Sequence, residues 1–306
     1  MSVTENTLSD CLNNELNQDT LQFSRLDTLS MLTVINQADS TVATALQSVL
    51  PELANVVDVI ADRLKQGGRI FYVGAGTSGR LAVLDSAECP PTFGTSPEMV
   101  QSIIAGGHSA MLKAVENIED STEASVKELQ ERGATEKDVI IGIAASGRTP
   151  FTLAAIEYGN QIGALTVGIT TRGYGLLSDL AQYAIAPDVG AEVLSGSTRM
   201  KSGTAQKMIL GMLSTCVMGC LGRIHTNLMV DVMASNIKLL RRAERIVGEV
   251  CGIDVDTAAA LLKQVDYHPR RAILMYELNI TAQQATEIVQ CNPNTSLDSM
   301  LNSHSE

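Results

Sequence analysis

Between residues 41 and 66 apolar side chains recur at helical spacing, with Val42, Leu46, Val49, Leu53, Val56, Val57, Ile60 and Leu64 on one face, and the run stops at Gly67-Gly68. This predicts an amphipathic helix with a glycine stop. Beyond it the period changes. Short continuous apolar runs alternate with helical stretches: "RIFYV" (69–73), "VQSIIA" (100–105), "DVIIGIA" (138–144), "ALTVGIT" (164–170) and the weaker "YAIAP" (183–187). Strands that are apolar throughout are buried on both faces, which is the condition of a parallel sheet covered by helices. The expected fold class is therefore α/β, a five-stranded parallel sheet with helices on both faces. Ligands of such sheets sit outside the carboxyl ends of the strands.

After Gly222 the pattern is helical. Three short amphipathic segments between about Arg241 and Gln290, "AERIVGEVCG", "DVDTAAALLKQV" and "PRRAILMYELN", predict a small three-helix module, and the closing "NPNTSLDSMLNSHSE" reads as a tail. The expected domain organisation is an N-terminal segment (1–40), the α/β domain (41–238), the helical module (239–292) and the tail (293–306). The most apolar run, "MILGMLSTCVMGCLG" (208–222), is too short and too rich in Gly, Ser and Thr to span a membrane; it predicts a helix buried in a core or a subunit interface.

Charge and cysteine usage narrow the function. The chain has 306 residues, 45% hydrophobic and 18% charged, and a formal net charge of −12. Its basic residues cluster only as Arg241-Arg242 and Arg270-Arg271, which excludes a general nucleic-acid binder. Six cysteines (Cys11, Cys89, Cys216, Cys220, Cys251, Cys291) contain no Cys-x-x-Cys pair and are expected to be reduced and mostly in the core. Residues 1–20 are polar and acidic, with no leader peptide pattern, so a cytoplasmic protein is expected. His108 and His225 lack a partner at metal-ligand spacing and are read as structural, with no metal site.

The chemistry lies in three loops. In "FYVGAGTSGRLA" (71–82), Gly74, Gly76 and Gly79 follow a strand at the G-x-G-x-x-G spacing of a dinucleotide site, yet the loop also carries Thr77, Ser78 and Arg80. A dinucleotide site needs an acid at the end of the second strand for the ribose, and that strand runs out into "AGGH" (105–108); Glu98 lies before it. NAD is therefore not expected. The tripeptide Ser78-Gly79-Arg80 recurs as Ser146-Gly147-Arg148, followed by Thr149, after the third strand. A third run, "LSGSTRMKSGTAQK" (194–207), brings Ser195, Ser197, Thr198, Ser202 and Thr204 among Arg199, Lys201 and Lys207. One such loop would be explained by helix N-caps. Three of them, offering hydroxyls and N–H groups at helix N-termini, point to a phosphate.

Together "GAGTSGRLAVLDSAECPPTFG", "AASGRTPF" and "VGAEVLSGSTRMKSGTAQK" closely resemble the N-acetylmuramic acid 6-phosphate etherase family, bacterial lyases on the sugar isomerase (SIS) fold, over roughly residues 25–290. The resemblance implies cleavage of the lactyl ether at C3 by elimination and then water addition, in cell-wall sugar recycling. It implies a phosphosugar held by Thr77, Ser78, Gly79, Ser146, Gly147, Thr149 and Ser202, with no cofactor. It also implies that the helical module is of the ubiquitin-associated-like type.

Elimination needs a base at C2 and an acid for the departing lactate. The positions matching the family's catalytic pair are Glu119, in "ENIEDS", and Glu88, in "SAECPP". Glu88 is expected at the end of a helix just before Pro90-Pro91, where the dipole and any desolvation favour a protonated acid. Glu119 is expected in the break before a helix that Asp120, Ser121 or Thr122 caps, although the acidic run of Glu116, Glu119, Asp120 and Glu123 also reads as a solvated face. A homodimer is expected from Met208, Leu210, Met212, Leu213, Val217, Met218 and Leu221, with Gly211, Ser214 and Gly219 admitting a partner helix. Two further readings share the fold: a phosphosugar isomerase, which needs no leaving-group acid, and a sugar-phosphate sensor resembling the glucokinase regulatory protein.

Overall fold

The apolar runs form five strands: β1 (Ile70–Gly74), β2 (Val100–Ile104), β3 (Val139–Ile143), β4 (Leu165–Ile169) and β5 (Tyr183–Ile185). In this computed structural model, which describes residues 16–115 and 117–304, they make one sheet in the order β2-β1-β3-β4-β5. The sheet is parallel, with Gly74 of β1 paired to Ile143 of β3 and Ile143 in turn to Ile169 of β4. Ile70, Phe71, Tyr72 and Val73 are fully buried, as are Val139, Ile140 and Ile141, which is why these strands carry no polar alternation.

Helices α1 (Thr28–Ser40), α2 (Val42–Leu46) and α3 (Leu50–Lys65) precede the sheet. The periodic stretch 41–66 is thus two helices joined by a 3-10 turn at Gln47–Val49. Its glycine stop is as expected: Gly67 adopts φ +88° and the Gly68 N–H bonds back to the Arg63 carbonyl at 3.0 Å. Between and after the strands come α4 (Gly76–Phe93), α5 (Thr122–Glu131), α6 (Pro150–Gln161), α7 (Leu176–Leu180) and α8 (Lys201–Cys220).

Helix α4 corrects one expectation. It does not stop before Pro90-Pro91 but runs through both to Phe93, and Gly94 ends it at φ +61° with its N–H on the Pro90 carbonyl at 2.9 Å. A proline ring fixes φ near the helical value, so two prolines in a last turn cost hydrogen bonds to the preceding turn without forcing the chain out of the helix.

The chain divides into two compact units. The first comprises residues up to 56 together with 70–83 and 102–212; the second comprises 57–69, 84–101 and 213 onward. In the first unit Phe71, Val73, Ile140, Phe151, Ile156 and Leu177 belong to one buried cluster. In the second unit the three expected amphipathic segments become α9 (Ile237–Cys251), α10 (Val255–Lys263) and α11 (Pro269–Glu277), and a fourth helix, α12 (Ala282–Cys291), opens on a Thr281/Gln284 capping box.

The C-terminal stretch read as a tail contains a further helix, α13 (Leu297–Ser303), whose Leu297 and Met300 are buried with Ile246, Leu262 and Ile273. Its short length hid its period; Ser296 caps it by accepting the Ser299 N–H.

A buried ion network ties this unit together. The Arg270 guanidinium, 1% exposed, donates to Asp231 at 2.6 Å and to the carbonyls of Gly222 and Thr295, while Arg223 donates to Asp231 and to the Phe93 carbonyl. Burial pushes the Asp231 carboxyl up, against the pull of Arg270 and Arg223. One residue thereby joins three chain segments that are distant in sequence.

Helix α8 uses its apolar face within the chain: Leu210, Leu213, Val217, Met218 and Leu221 are all buried, and Ser214 donates to Asp85 at 3.0 Å. Of the other residues from which a homodimer was expected, Met208, Gly211, Met212 and Gly219 are half-buried. The cysteines also depart from expectation. Among the described ones only Cys89 is buried, with burial and then Asp85 and Glu88 pushing its thiol up to about 12; Cys216, Cys220 and Cys291 are exposed and free. Cys11 lies outside the described residues. No helix among the described residues is long and apolar enough to cross a membrane.

Candidate active site

The strand order reverses at β1, which has β2 on one side and β3 on the other. Open parallel sheets leave a crevice at such a reversal, outside the carboxyl ends of the strands. The two loops that repeat Ser-Gly-Arg follow β1 and β3, the strands that meet there.

The loop after β1 is tight because two glycines permit it. A Cβ on Gly79 would lie 2.6 Å from Ile104 Cγ1 and 2.7 Å from the Gly74 carbonyl oxygen, and one on Gly74 would lie 3.0 Å from the Gly79 nitrogen. Helix α4 therefore starts directly at the strand end. The Gly79 N–H makes the first intrahelical bond, to Ala75. Gly76, Thr77 and Ser78 keep N–H groups with no carbonyl one turn back, an anion-facing end. Ser78 is buried and its hydroxyl donates to Gln206 Oε1 of α8 at 2.9 Å, so that its single proton is engaged.

After β3, Ser146 is exposed and accepts the Arg148 N–H at 3.4 Å, Gly147 is buried at φ +68°, and Thr149 leads into α6 without capping it through its side chain. The third loop is arranged differently. Glu192, fully buried, accepts the N–H groups of Lys201 and Ser202 at 3.0 and 2.9 Å, so the start of α8 is capped by the protein's own carboxylate. Lys201 is buried and donates its ammonium to the Val189 carbonyl, whereas Lys207 is exposed. Ser202 Oγ is buried with no hydrogen-bond partner. Glu192 had no assigned role in the sequence reading, although an isolated acid between Val189-Gly190-Ala191 and Val193-Leu194 cannot form a solvated face and is a signal of a buried cap.

Beside the β1 loop opens a cleft of about 370 Å³, lined by Ala75, Gly76 and Arg80 on one side and by Ala105, Asn117 and Glu119 on the other. Glu119 is exposed in a 3-10 turn, Ile118–Asp120, entered by Asn117 in the left-handed region at φ +64° and left through Ser121, which accepts the Ala124 N–H and caps α5. The loop position is as the sequence predicted, and of the three candidate caps, Asp120, Ser121 and Thr122, the helix uses Ser121. Among the described residues, Glu119 and Arg80 are the charged side chains lining the cleft. Thr77, Ser78, Gly79, Ser146, Gly147, Thr149 and Ser202 do not line it.

Glu88 is exposed on the part of α4 that belongs to the second unit, so the desolvation expected of it is absent. His108 is exposed, and His225 lies 3.3 Å from Asp298 Oδ1. No cluster of three or more metal-ligating residues occurs among the described residues.

Residues 52–160 match the glucokinase regulatory protein N-terminal SIS domain. Over 269 residues the chain is 48% identical to an N-acetylmuramic acid 6-phosphate etherase of Clostridium beijerinckii, covering 88% of both chains. It is 50% identical over 260 residues to one of Aliivibrio fischeri, covering 85% of this chain and 87% of that one, and 49% identical over 271 residues to one of Yersinia pestis, covering 89% and 92%. Among solved structures, a phosphoheptose isomerase from Francisella tularensis shares the fold with a TM-score of 0.50 at 16% identity, covering 63% of this chain and 98% of that one.

The glycine geometry makes a stability prediction. Gly76 sits at φ +54° with open space around its α-carbon, so Gly76→Ala costs only left-handed strain, about 1–2 kcal/mol. Gly79→Ala drives a methyl into backbone and a core isoleucine, and its cost is about 3 kcal/mol. Urea denaturation of the two variants orders them; a Gly79→Ala protein as stable as Gly76→Ala contradicts the close approach.

Proposed function

Because the chain belongs to the N-acetylmuramic acid 6-phosphate etherase family, we infer that it cleaves the D-lactyl ether at C3 of N-acetylmuramic acid 6-phosphate, giving N-acetylglucosamine 6-phosphate and D-lactate. The observation that carries this is identity near one half along 85–89% of the chain with etherases from three genera. Neither an isomerase nor a sensor is favoured by those relatives.

An alkyl ether resists direct hydrolysis, but a carbonyl makes elimination possible. The sugar opens to its aldehyde, and a base takes the C2 proton, made acidic by the neighbouring C1 carbonyl. The electron pair then forms the C2–C3 double bond as the C3–O bond breaks and an acid protonates the lactate oxygen. Water adds at C3 of the unsaturated aldehyde, its proton returning to C2, and the ring closes. Proton transfer is all that this chemistry asks of the protein.

Glu119 is the proposed base, supported by its place as the one carboxylate, among the described residues, of the cleft beside the β1 loop. Glu88 is the proposed acid. For the 6-phosphate the proposed ligands are the N–H groups and hydroxyls of Thr77, Ser78, Gly79, Ser146, Gly147 and Thr149, with Ser202 behind them. The loops carrying Ser78 and Ser146 follow paired strands, and Ser202 lies one turn before Gln206, the partner of Ser78. A homodimer remains part of the proposal, now resting on α1, which buries none of its residues and leaves Leu29 74% and Leu32 59% exposed. A cytoplasmic location fits the free, exposed Cys216, Cys220 and Cys291.

Two measurements test this reading. In deuterated water the parent protein releases D-lactate and exchanges the C2 proton; Glu119→Gln abolishes the exchange, whereas Glu88→Gln keeps it and loses about 10²–10⁴ in lactate release. Exchange at the parent rate by Glu119→Gln removes Glu119 as the base, and no lactate release by the parent removes the etherase reading. Sedimentation at low micromolar concentration should give twice the chain's 32.6 kDa, and Leu29→Lys with Leu32→Lys should return it to a monomer; a fully active monomer in the parent protein contradicts the dimer.

A further inference from the structure

Arg80 and Glu119 line the same cleft, yet they do not pair with each other, and neither makes an ion pair with any described residue. Opposite charges left apart in one cleft are available to a ligand that needs both. Among the described residues the Arg80 guanidinium is held by two long bonds, from Nε to the Met111 carbonyl at 3.4 Å and from Nη2 to the Lys113 carbonyl at 3.3 Å. These fix its direction, and Nη1 has no partner among the described residues. The remaining wall is mostly small apolar residues, Ala75, Ala105, Ala110 and Ala114 among them, which offer a ligand charge no competing partner.

Resting on the etherase reading, we propose that Arg80 binds the carboxylate of the lactyl group and so selects a muramic acid phosphosugar over one with a free C3 hydroxyl. The carboxylate hangs from C3 through one ether oxygen and one carbon, and C3 adjoins the C2 whose proton goes to Glu119. A residue holding the carboxylate must therefore stand near the base without neutralising it, as Arg80 does. It also offsets the repulsion between the substrate carboxylate and Glu119. Arginine suits the task because its planar fork matches a carboxylate and keeps its charge at any working pH.

The test is a cycle between enzyme and substrate. Steady-state kinetics are measured for parent, Arg80→Gln and Arg80→Lys with N-acetylmuramic acid 6-phosphate and with its lactyl carboxamide, and inhibition by N-acetylglucosamine 6-phosphate is measured for all three. Replacing the carboxylate by the amide should raise KM for the parent about 10- to 100-fold, the worth of one charged hydrogen-bonded contact. Arg80→Gln should raise KM for the acid by the same factor and leave the amide and the inhibitor within about twofold of the parent. Arg80→Lys should recover part of the loss.

Equal loss by Arg80→Gln on acid and amide overturns the proposal in favour of a role in holding the Met111–Lys113 segment. A matching loss in inhibitor affinity overturns it in favour of a phosphate contact. Equal KM values of the parent for acid and amide overturn it without any variant. A parent that turns over neither compound refutes the etherase reading itself, which separates the two failures.

Discussion

No side chain fits between the end of β1 and the first turn of α4. Gly79 brings the helix backbone against Gly74 and Ile104 so closely that a methyl group would overlap both. From this contact the helix starts at the strand end, its unpaired N–H groups face the crevice, and the side chain at Arg80 emerges toward the segment after β2. A longer connection would permit a phosphate loop but would not fix where the arginine points.

The loop after β1 stands between two neighbours because its strand lies at the reversal of strand order. The β3 loop, on one side, repeats its tripeptide; the segment after β2, on the other, carries Asn117 and Glu119. One turn can thus offer hydrogen-bond donors to the proposed phosphate and share a wall with Glu119, the proposed base. The third hydroxyl-rich loop follows another logic. Its helix end is closed by Glu192, and its contribution passes through Gln206 to Ser78. Since the Ser78 proton rests on Gln206, the proposed phosphate site has the backbone N–H groups as its free donors, and the hydroxyl only once that bond is exchanged.

Much of this was legible in the sequence. All five strands were visible because burial on both faces removes polar residues from them, and the tight loop after β1 was visible because a glycine at a forced position cannot be hidden. A break at Glu119 ahead of a capped helix followed from capping chemistry, which left Asp120, Ser121 and Thr122 as candidates, and the structure uses Ser121. What escaped depends on neighbours that are distant in the chain. Pro90 and Pro91 look like a stop only if their missing N–H groups matter, and in a last turn they matter little. The α13 helix is too short to show a period, and its burial comes from Ile246, Leu262 and Ile273 in other helices. Much of the apolar excess of α8, at Leu210, Leu213, Val217 and Met218, serves its own chain, and sequence alone does not reveal how much of a helix that chain surrounds. Glu192 and Arg270 were passed over since charge counts as solvated until the structure supplies its partner.

The central claim is that one loop, built on the Gly74–Gly79 contact, holds the 6-phosphate while Glu119 faces C2 of the same sugar. A crystal structure with N-acetylglucosamine 6-phosphate bound tests this directly. The account predicts phosphate oxygens within hydrogen-bonding distance of the first-turn N–H groups of α4 and of the Ser146–Thr149 loop, with C2 in contact with Glu119. A phosphate bound away from both loops, or a sugar whose C2 lies out of reach of Glu119, would contradict it.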